Sequence, residues 1–267
     1  MLEVILFIFI ISLRKERSPC MLGRYGILLL SLTLLHSEVT LAQQVPALFS
    51  VLKQGHVAFQ VGGYWSTQGK AQHIDINGLI GDDFTVTKHD GSNGLVGLGY
   101  FVEGQELNRV QLSYGINLFY LPETSVSGTV VQEDLFSNLS YGYHVTHYPI
   151  YAAARAKTDL PINHLALTVD AGIGPNFMHT DGFVEHSLDG GITLPDNAFS
   201  GHTTATFSAT AGIGLQLAKV FGEMPLECGY RFFYLGQGRF SKKTDQIINS
   251  LHTGAAYANA VVCAVRI

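Results

Sequence analysis

The chain has 267 residues, of which 14% are charged and 47% hydrophobic, and its formal net charge is −5. The charged share lies well below the roughly 25% of ordinary soluble domains, and the acidic balance indicates no nucleic-acid partner. No apolar run approaches the ~20 residues of a membrane helix; the apolar residues alternate with polar ones instead.

The N-terminal region, residues 1–42, predicts an export signal. From Met21 the sequence has an arginine, the apolar run Ile27–Leu35 and a small-residue cleavage site that ends at Ala42. We expect translation to start at Met21, cleavage to follow Ala42, and residues 43–54 to form a short periplasmic segment. An uncleaved anchor is the alternative, although the apolar run is short for one.

Eight later segments alternate apolar and polar residues with a period of two, which is the period of a β-strand. Most of the segments have about 9–14 residues, near the length of a tilted membrane-spanning strand. The segments are His56–Trp65, Gly94–Val102, Arg109–Leu121, Tyr141–Lys157, Leu165–Gly174, Thr204–Leu217, Leu226–Phe240 and Tyr257–Ile267.

The fourth segment contains Pro149, which interrupts the alternation because proline cannot donate to a strand ladder. We predict a β-bulge there that shifts the phase by one residue. Ala152 and Ala154 then face outward with the apolar set, and Arg155 faces inward. His144, before the bulge, is predicted to face inward as well.

The connections between the segments alternate in length, as they do in bacterial outer-membrane barrels, which have short periplasmic turns and long outer loops. The sequence therefore predicts an all-β fold over residues 55–267, an eight-stranded antiparallel up-and-down transmembrane β-barrel. A soluble sandwich also has room for eight strands but needs no such alternation. Short connections are predicted at Glu103–Asn108, Thr158–His164 and Ala218–Pro225, and long ones at Ser66–Asn93, Pro122–Leu139, Pro175–Thr203 and Gly236–Thr253.

Two motifs carry a resemblance to a known family. The run ECGYRFFYLGQGRF, from Glu227, resembles the penultimate strand of small OmpA-like and OmpX-like barrels, and LALTVDAGIGPNF, from Leu165, resembles their fifth strand. The resemblance covers about residues 55–267 and implies a fold and an outer-membrane address rather than an activity. Members of this family usually end in Phe, whereas this chain ends in Ile267.

Charged residues fall on the inward face of several predicted strands, where an eight-stranded barrel is just wide enough for side chains to fill it. Buried charges are tolerable only when they are paired, so these residues predict a polar plug. We expect Glu227 to contact Arg266 at the periplasmic end and Arg231 to pair with Asp170 across the lumen. A gated or very narrow pore is the alternative. The predicted plug consists of Glu227, Arg231, Arg266, Asp170 and Arg155.

Aromatic residues on the outward face predict the girdles that flank a membrane. The alternative is the ordinary enrichment of aromatic residues in sheets. Asn259 is the polar exception on this face. The predicted girdle consists of Trp65, Tyr100, Tyr114, Tyr120, Tyr141, Tyr230 and Tyr234.

The cysteine count does not fit a disulfide scaffold. Cys20 precedes the signal, and Cys228 and Cys263 lie at outward positions on neighbouring strands. A bridge between adjacent strands is geometrically awkward, so the sequence favours free thiols.

No motif predicts a catalytic, cofactor or metal site. In the run KHDGS, His89, Asp90 and Ser92 are too close in sequence to form a catalytic relay, and the run is typical of a turn. The two AGIG repeats lead into no helix, so no phosphate-binding loop is expected. The histidines of the predicted outer loops show neither HxH nor HExxH spacing. They are His73, His89, His179, His186, His202 and His252.

These observations predict an exported protein of the bacterial outer membrane with a structural or adhesin-like surface role, since long loops on a rigid scaffold commonly carry binding. A narrow porin-like channel and a soluble lipocalin-like barrel with an apolar ligand are the alternatives. Expected partners are outer-membrane lipid and lipopolysaccharide, the barrel-assembly machinery and a host or surface ligand, with no cofactor and no nucleic acid. A monomer is expected.

Overall fold

The structure, a computed structural model, describes residues 55–162 and 164–267. The predicted signal, its cleavage site, Cys20 and the periplasmic segment 43–54 lie outside the described residues. In the described part of the chain, no helix is long and apolar enough to cross a bilayer.

Within the described residues, eight long strands form the body of the fold, and four short strands lie in its outer loops. The long strands occupy the predicted segments but extend several of them. They are β1 (His56–Thr67), β4 (Asp90–Leu107), β5 (Val110–Gln132), β6 (Phe136–Asp159), β7 (Leu165–Ser187), β9 (His202–Phe221), β10 (Met224–Arg239) and β12 (His252–Arg266). The short ones are β2 (Gln72–Ile74), β3 (Asp82–Phe84), β8 (Phe199–Ser200) and β11 (Ser241–Lys242).

The long strands close into a ring in which every neighbouring pair is antiparallel. Going round, the order is β1, β4, β5, β6, β7, β9, β10, β12 and back to β1, with β5–β6 pairing along most of their length. Closure leaves no unpaired edge, as a sheet surrounded by lipid requires. The predicted eight-stranded antiparallel barrel is confirmed.

The short turns lie at the end of the barrel that also holds both ends of the described chain. Asn108 and Arg109 form a two-residue turn with φ values of 49° and 71°, the positive-φ pair that a type I′ hairpin requires. Gly222 and Glu223 join β9 to β10. By the convention of such barrels this end faces the periplasm.

The outer end differs from the prediction. Much of the expected loop Pro122–Leu139 is strand, since β5 has 23 residues, β6 has 24, and only Glu133–Leu135 separates them. Likewise β7 continues from Gly174 to Ser187. The alternation does not stop at these places but reverses its polarity, and in the sequence alone such a reversal resembles the start of a loop.

The reversal divides the barrel into two regions. In the membrane belt, apolar side chains point outward and are 44–61% exposed. Beyond it lies a part that we call the outer head, residues 68–89, 123–146, 179–201 and 239–252, where apolar side chains point inward instead. The belt residues include Phe59, Val61, Val96, Leu98, Ile116, Leu118, Val169, Ile173, Ile213, Leu215 and Val261, and the head core includes Phe84, Tyr141, Tyr143, Phe183, Phe199 and Phe240.

The predicted bulge at Pro149 is wrong. Odd-numbered residues of β6 face inward from Tyr141 to Arg155, and the β6–β7 register runs unbroken past Pro149, which pairs with Asn176. The shift between these strands occurs instead near His144. The outward positions of Ala152 and Ala154 and the inward position of Arg155 agree with the prediction, but no bulge is needed to produce them.

Two assignments on the same strand are corrected as a consequence. Tyr141, predicted to lie in the outward girdle, is 3% exposed inside the head. His144, predicted to face inward, lies on the outer face, where its Nδ1 is 3.1 Å from the Ser125 hydroxyl. Both errors arise because the apolar set of β6 was assumed to face one way throughout.

Candidate functional site

The periplasmic half of the lumen contains an ion network around Glu227. Arg266 Nη2 lies 2.7 Å from Glu227 Oε2, and the Arg155 guanidinium contacts the same carboxylate oxygen. The hydroxyl of Thr168 donates to Glu227 Oε1 at 2.9 Å. Gln216 lies beside the network and accepts from Arg266 at 2.9 Å. The carboxylate therefore joins groups from three other strands, β6, β7 and β12.

A second ion pair lies further up the lumen. Arg231 Nη1 is 2.7 Å from Asp170 Oδ1, and Nη2 is 2.9 Å from Oδ2, so the pair is bidentate. The Arg231 guanidinium also lies over the Phe119 ring at 5.2 Å, a cation–π distance. The structure thus brings all five residues of the predicted plug into one lumen; whether they block ions stays a prediction.

Glycines on β9 make room for these charges. A Cβ at Gly212 would lie 2.9 Å from Asp170 Oδ2 and 3.2 Å from Arg231 Nη2. A Cβ at Gly214 would lie 3.0 Å from the Thr168 hydroxyl and 3.3 Å from Glu227 Oε1. The glycines of the second AGIG repeat therefore leave room for the ion pairs, because a side chain at either position would crowd them.

Neutral polar groups complete the network, and the sequence analysis did not single them out. Gln60 donates to Asn117 Oδ1 at 2.6 Å, and both side chains are buried. Their inward strand positions were visible in the alternation, but a polar residue on an inward face does not reveal its partner. Among the charged members, three guanidinium groups face two carboxylates.

Aromatic side chains fill the lumen above the ion pairs. Phe119 and Phe233 meet edge to face with centroids 5.2 Å apart. Tyr151 lies beside both, and its hydroxyl is 2.6 Å from the hydroxyl of Ser208. Higher still, His147 Nδ1 is 3.1 Å from the amide of Asn176. The charged network, this aromatic layer and the head core therefore follow one another along the axis.

The outward aromatics of the belt occupy the remaining predicted girdle positions. Trp65, Tyr114, Tyr120 and Tyr230 are 40–53% exposed, whereas Tyr100 and Tyr234 are outward and half-buried. The predicted girdle omitted three further outward aromatics, although all of them lie within the predicted segments. These are Tyr148, which stacks on Tyr120, and Phe207 and Tyr257, which flank Tyr234. Girdle function stays a prediction.

Asn259, the polar residue on the belt's outer face, has a partner. The Tyr230 hydroxyl donates to Asn259 Oδ1 across the β10–β12 pair. An unpaired amide facing hydrocarbon is costly, so this tyrosine satisfies the one polar group that the alternation pattern left unexplained.

The prediction of free thiols is wrong, since Cys228 and Cys263 form a disulfide. They are directly opposite each other in the β10–β12 register, with Cα atoms 4.1 Å apart. Such closeness is typical of a non-hydrogen-bonded antiparallel pair. The sequence alone did not fix the register of these two strands, and the register decides whether the thiols meet.

Carboxylates and histidines pair on the surface of the outer head. His73 Nδ1 lies 2.8 Å from Asp83 Oδ1, and its Nε2 lies 3.0 Å from the carbonyl oxygen of Ile80. The hydrogen bond to Asp83 raises the pKa of His73. Asp134 completes a group whose ligand-type atoms lie within 4.8 Å of one another, but both ring nitrogens are already engaged, so we assign this group to the β2–β3 hairpin's own structure.

No protein-family model matches the chain, and no curated protein sequence matches it. Solved structures with a similar fold include neisserial surface protein A, at 11% identity over 79% of this chain and 96% of that one, with a TM-score of 0.37. OprG from Pseudomonas aeruginosa has 11% identity over 79% and 95%, with a TM-score of 0.41. The outer membrane protease OmpT from Escherichia coli has 7% identity over 79% and 95%, also at 0.41.

The class of the protein follows from its own geometry. A closed antiparallel ring with an apolar exterior belt and a charged interior is an outer-membrane β-barrel, because that arrangement places apolar groups in lipid and pairs every strand. The protein is an eight-stranded barrel of the bacterial outer membrane. The lipocalin-like alternative is wrong, since it needs an apolar lumen where Asp170 and Arg231 lie.

Proposed function

We propose that the protein is a plugged barrel whose outer head has an adhesin-like surface-interaction role. The observation that carries this proposal is the cluster of apolar side chains at the tips of the head, which are 59–84% exposed beyond the membrane belt. Exposed apolar groups of this kind mark interaction surfaces. They are Leu79, Ile80, Leu135, Phe136, Ile192 and Leu194.

The head presents these tips on ordered backbone. The β5–β6 hairpin is paired up to its tip, where Val130 faces Leu139 and Gln132 faces Phe136. In the β7–β8 loop, Asp189 accepts from the Ser187 and Thr193 hydroxyls at 2.5 and 2.6 Å, and these bonds hold its pKa below the usual range. A surface ordered before contact loses less entropy on binding.

The surface role is tested by adhesion. Cells displaying the protein should adhere to polystyrene, and the double substitution Leu135→Ser and Phe136→Ser should remove most of that adhesion. Leu107→Ser is the matched control, because Leu107 is 64% exposed at the periplasmic end. Adhesion that survives loss of the tip, or that falls equally in the control, contradicts the proposal.

The plug is supported by the filling of the lumen. Ion pairs, an aromatic layer and the head core occupy it in succession, and the charges within are paired, as burial demands. Refolded protein in a planar bilayer should therefore give no steady conductance. Steady conductance that changes in Arg231→Ala would contradict the plug.

A narrow channel is the second candidate, and one observation favours it. A cavity of about 20 Å³, room for one water molecule, lies among Gln60, Asn117 and the ion pairs, and the surrounding network has three guanidinium groups and two carboxylates. A channel through this lumen should prefer anions, so the same bilayer recording with a salt gradient separates the two candidates.

The remaining proposed partners are those expected of the class. Lipid and lipopolysaccharide contact the belt, the barrel-assembly machinery acts during biogenesis, and the barrel is a monomer. Catalysis is not included in the proposal, and hydrolysis of phospholipid or lipid A by the refolded protein, lost on His89→Ala, would contradict it.

A further inference from the structure

A cleft opens at the outer end of the head, above the head core. Its volume is about 390 Å³, within the range of small-molecule sites. The hairpin β2–β3, the strands β5, β6 and β7, and the segments around β8 and β11 contribute to it, so six separate parts of the chain form one concave site.

The floor of the cleft is apolar and well packed. Ile74, Phe84, Leu139, Phe199 and Ile247 line it, and each is at most 4% exposed. Phe84 and Phe199 meet edge to face at 6.0 Å. Such a floor favours a ligand with an apolar body, because a purely ionic ligand has no apolar surface to bury against it.

Three carboxylates lie around this floor. Asp82 and Glu185 reach it from inward positions of β3 and β7, and Asp196 reaches it from the loop before β8. Burial raises the pKa of Asp82 and of Glu185; repulsion from Glu133 and Asp196 adds to the shift of Asp82, and repulsion from Asp196 and Asp82 adds to that of Glu185. All three carboxylates line the same cavity, so they are placed to act on one ligand.

Glu185 has one oxygen engaged by the chain and one without such a partner. The residue is 6% exposed, and its Oε2 accepts from the backbone N–H groups of Asp196 and Asn197 at 3.0 and 2.9 Å. Within residues 55–162 and 164–267, no donor is hydrogen-bonded to Oε1. Because Glu185 lines the cleft, this second oxygen remains available as an acceptor for a ligand donor.

The charge of the lining is unbalanced. Among its described residues, Lys243 is the one cationic side chain, it is exposed, and it forms no ion pair with the three carboxylates. A ligand that brings one positive charge to the carboxylates therefore improves the electrostatics of the cleft.

We propose that this cleft binds a small organic cation with an apolar body, whose ammonium group meets Asp82, Glu185 and Asp196 while its body rests on the Phe84 side of the floor. The inference deepens the proposed surface role by naming a ligand class for the same head. Carboxylates set the charge of the ligand, and the apolar floor sets its size.

The test is a titration of the refolded protein in phosphocholine nanodiscs, followed by methyl NMR of labelled isoleucines. Ile74 and Ile247 report on the cleft, and Ile116 in the belt reports on partitioning into lipid. The probe is 2-phenylethylammonium, with neutral 2-phenylethanol and methylammonium as comparisons. The aromatic cation should bind at least about tenfold more tightly than either comparison.

Asp82→Asn and Asp196→Asn should each weaken binding of 2-phenylethylammonium about five- to tenfold. Asp181→Asn is the matched control, because Asp181 is a head carboxylate near His179 and outside the cleft; its affinity should stay within about twofold. Heat-modifiable gel migration establishes that each variant is folded before it is titrated.

Equal affinity for the neutral and charged aromatic probes overturns the role of the carboxylates, and equal affinity for methylammonium overturns the role of the floor. Shifts at Ile116 alone would mean lipid partitioning and would also overturn the proposal. The adhesion assay uses different residues, so loss of probe binding with tip-dependent adhesion intact sinks only this inference, and the converse sinks only the surface role.

Discussion

The membrane belt and the outer head are built from the same strands but have opposite polarity. On β6, Ala154 faces lipid and Arg155 faces the lumen, whereas ten residues earlier His144 faces water and Val145 faces the head core. The pleat continues between them without interruption. The difference shows that the medium outside the wall, rather than the strand, decides which face of the sheet is apolar.

The two regions consequently depend on different interactions. In the belt the outward apolar groups contact lipid in both the unfolded and the folded chain, so they contribute little to the free energy of folding. The lumen's ion pairs and hydrogen bonds specify the interior instead. In the head, burial of apolar side chains away from water stabilises the core in the ordinary way. Substitutions in the two regions should therefore fail in different ways.

The largest expected effect comes from breaking the lumen's bidentate pair. Asp170→Ala leaves Arg231 buried without its partner, and the free energy of unfolding should fall by about 3–5 kcal/mol. Urea unfolding in lipid vesicles, followed by heat-modifiable migration, measures this loss.

The double variant Asp170→Leu and Arg231→Met provides the control for that result. Removing both charges removes the desolvation penalty with the attraction, so the double variant should recover most of the lost stability. A double variant as unstable as Asp170→Ala alone would mean that the pair matters for packing and not for charge.

The head should instead lose stability when a cavity is created in its core. Leu251 is 1% exposed in the head core, and Leu251→Ala should cost about 2–4 kcal/mol. If the head is stabilised separately, protease sensitivity of its loops should rise while the barrel keeps its heat-modifiable migration. Ile248→Ala, at a position 60% exposed, is the matched control and should change stability by less than about 0.5 kcal/mol. Simultaneous loss of both regions would show that they unfold as one unit.

The belt was predictable from the sequence because its rule is simple. Apolar residues outward and charged residues inward, with a period of two, located the eight strands and placed Glu227, Arg231 and Asp170 in the lumen. Closure of the ring then limits the partners that a buried charge has, so the expected pairings needed little beyond strand order.

The head was not predictable from the same pattern. On β6, the alternation of Tyr141, Tyr143 and Val145 looks identical whether it faces lipid or a water-bounded core, so Tyr141 was placed on the wrong face. The disulfide between Cys228 and Cys263 depends on a register that alternation does not fix. The cleft depends on loops that contribute Asp196 and Ile247 from distant parts of the chain, for which the sequence has no local signal.

A smaller effect sharpens the description of the belt's exterior. Tyr230→Phe removes the hydroxyl that donates to Asn259 and leaves that amide oxygen facing lipid, so stability should fall by about 1–2 kcal/mol. The double variant Tyr230→Phe and Asn259→Ala should restore most of it, because both partners are then absent. Tyr257→Phe serves as the control on the same surface. If it costs as much as Tyr230→Phe, tyrosine hydroxyls stabilise the belt through lipid headgroups and not through Asn259.

The smallest effect concerns the β2–β3 hairpin of the head. The stability of this hairpin should depend on pH, whereas the stability of the belt should not. The hydrogen bond from His73 to Asp83 raises the pKa of His73 above its ordinary 6.5. Its stabilisation is therefore fully present below pH 6.5 and is lost as the pH rises through the raised value. Amide exchange of β3, corrected for intrinsic rates, should quicken less than about fivefold between pH 5.5 and 8. His73→Gln should abolish this pH dependence, and His179→Gln should leave it unchanged. A pH dependence that persists without His73 would mean that another group of the head causes it.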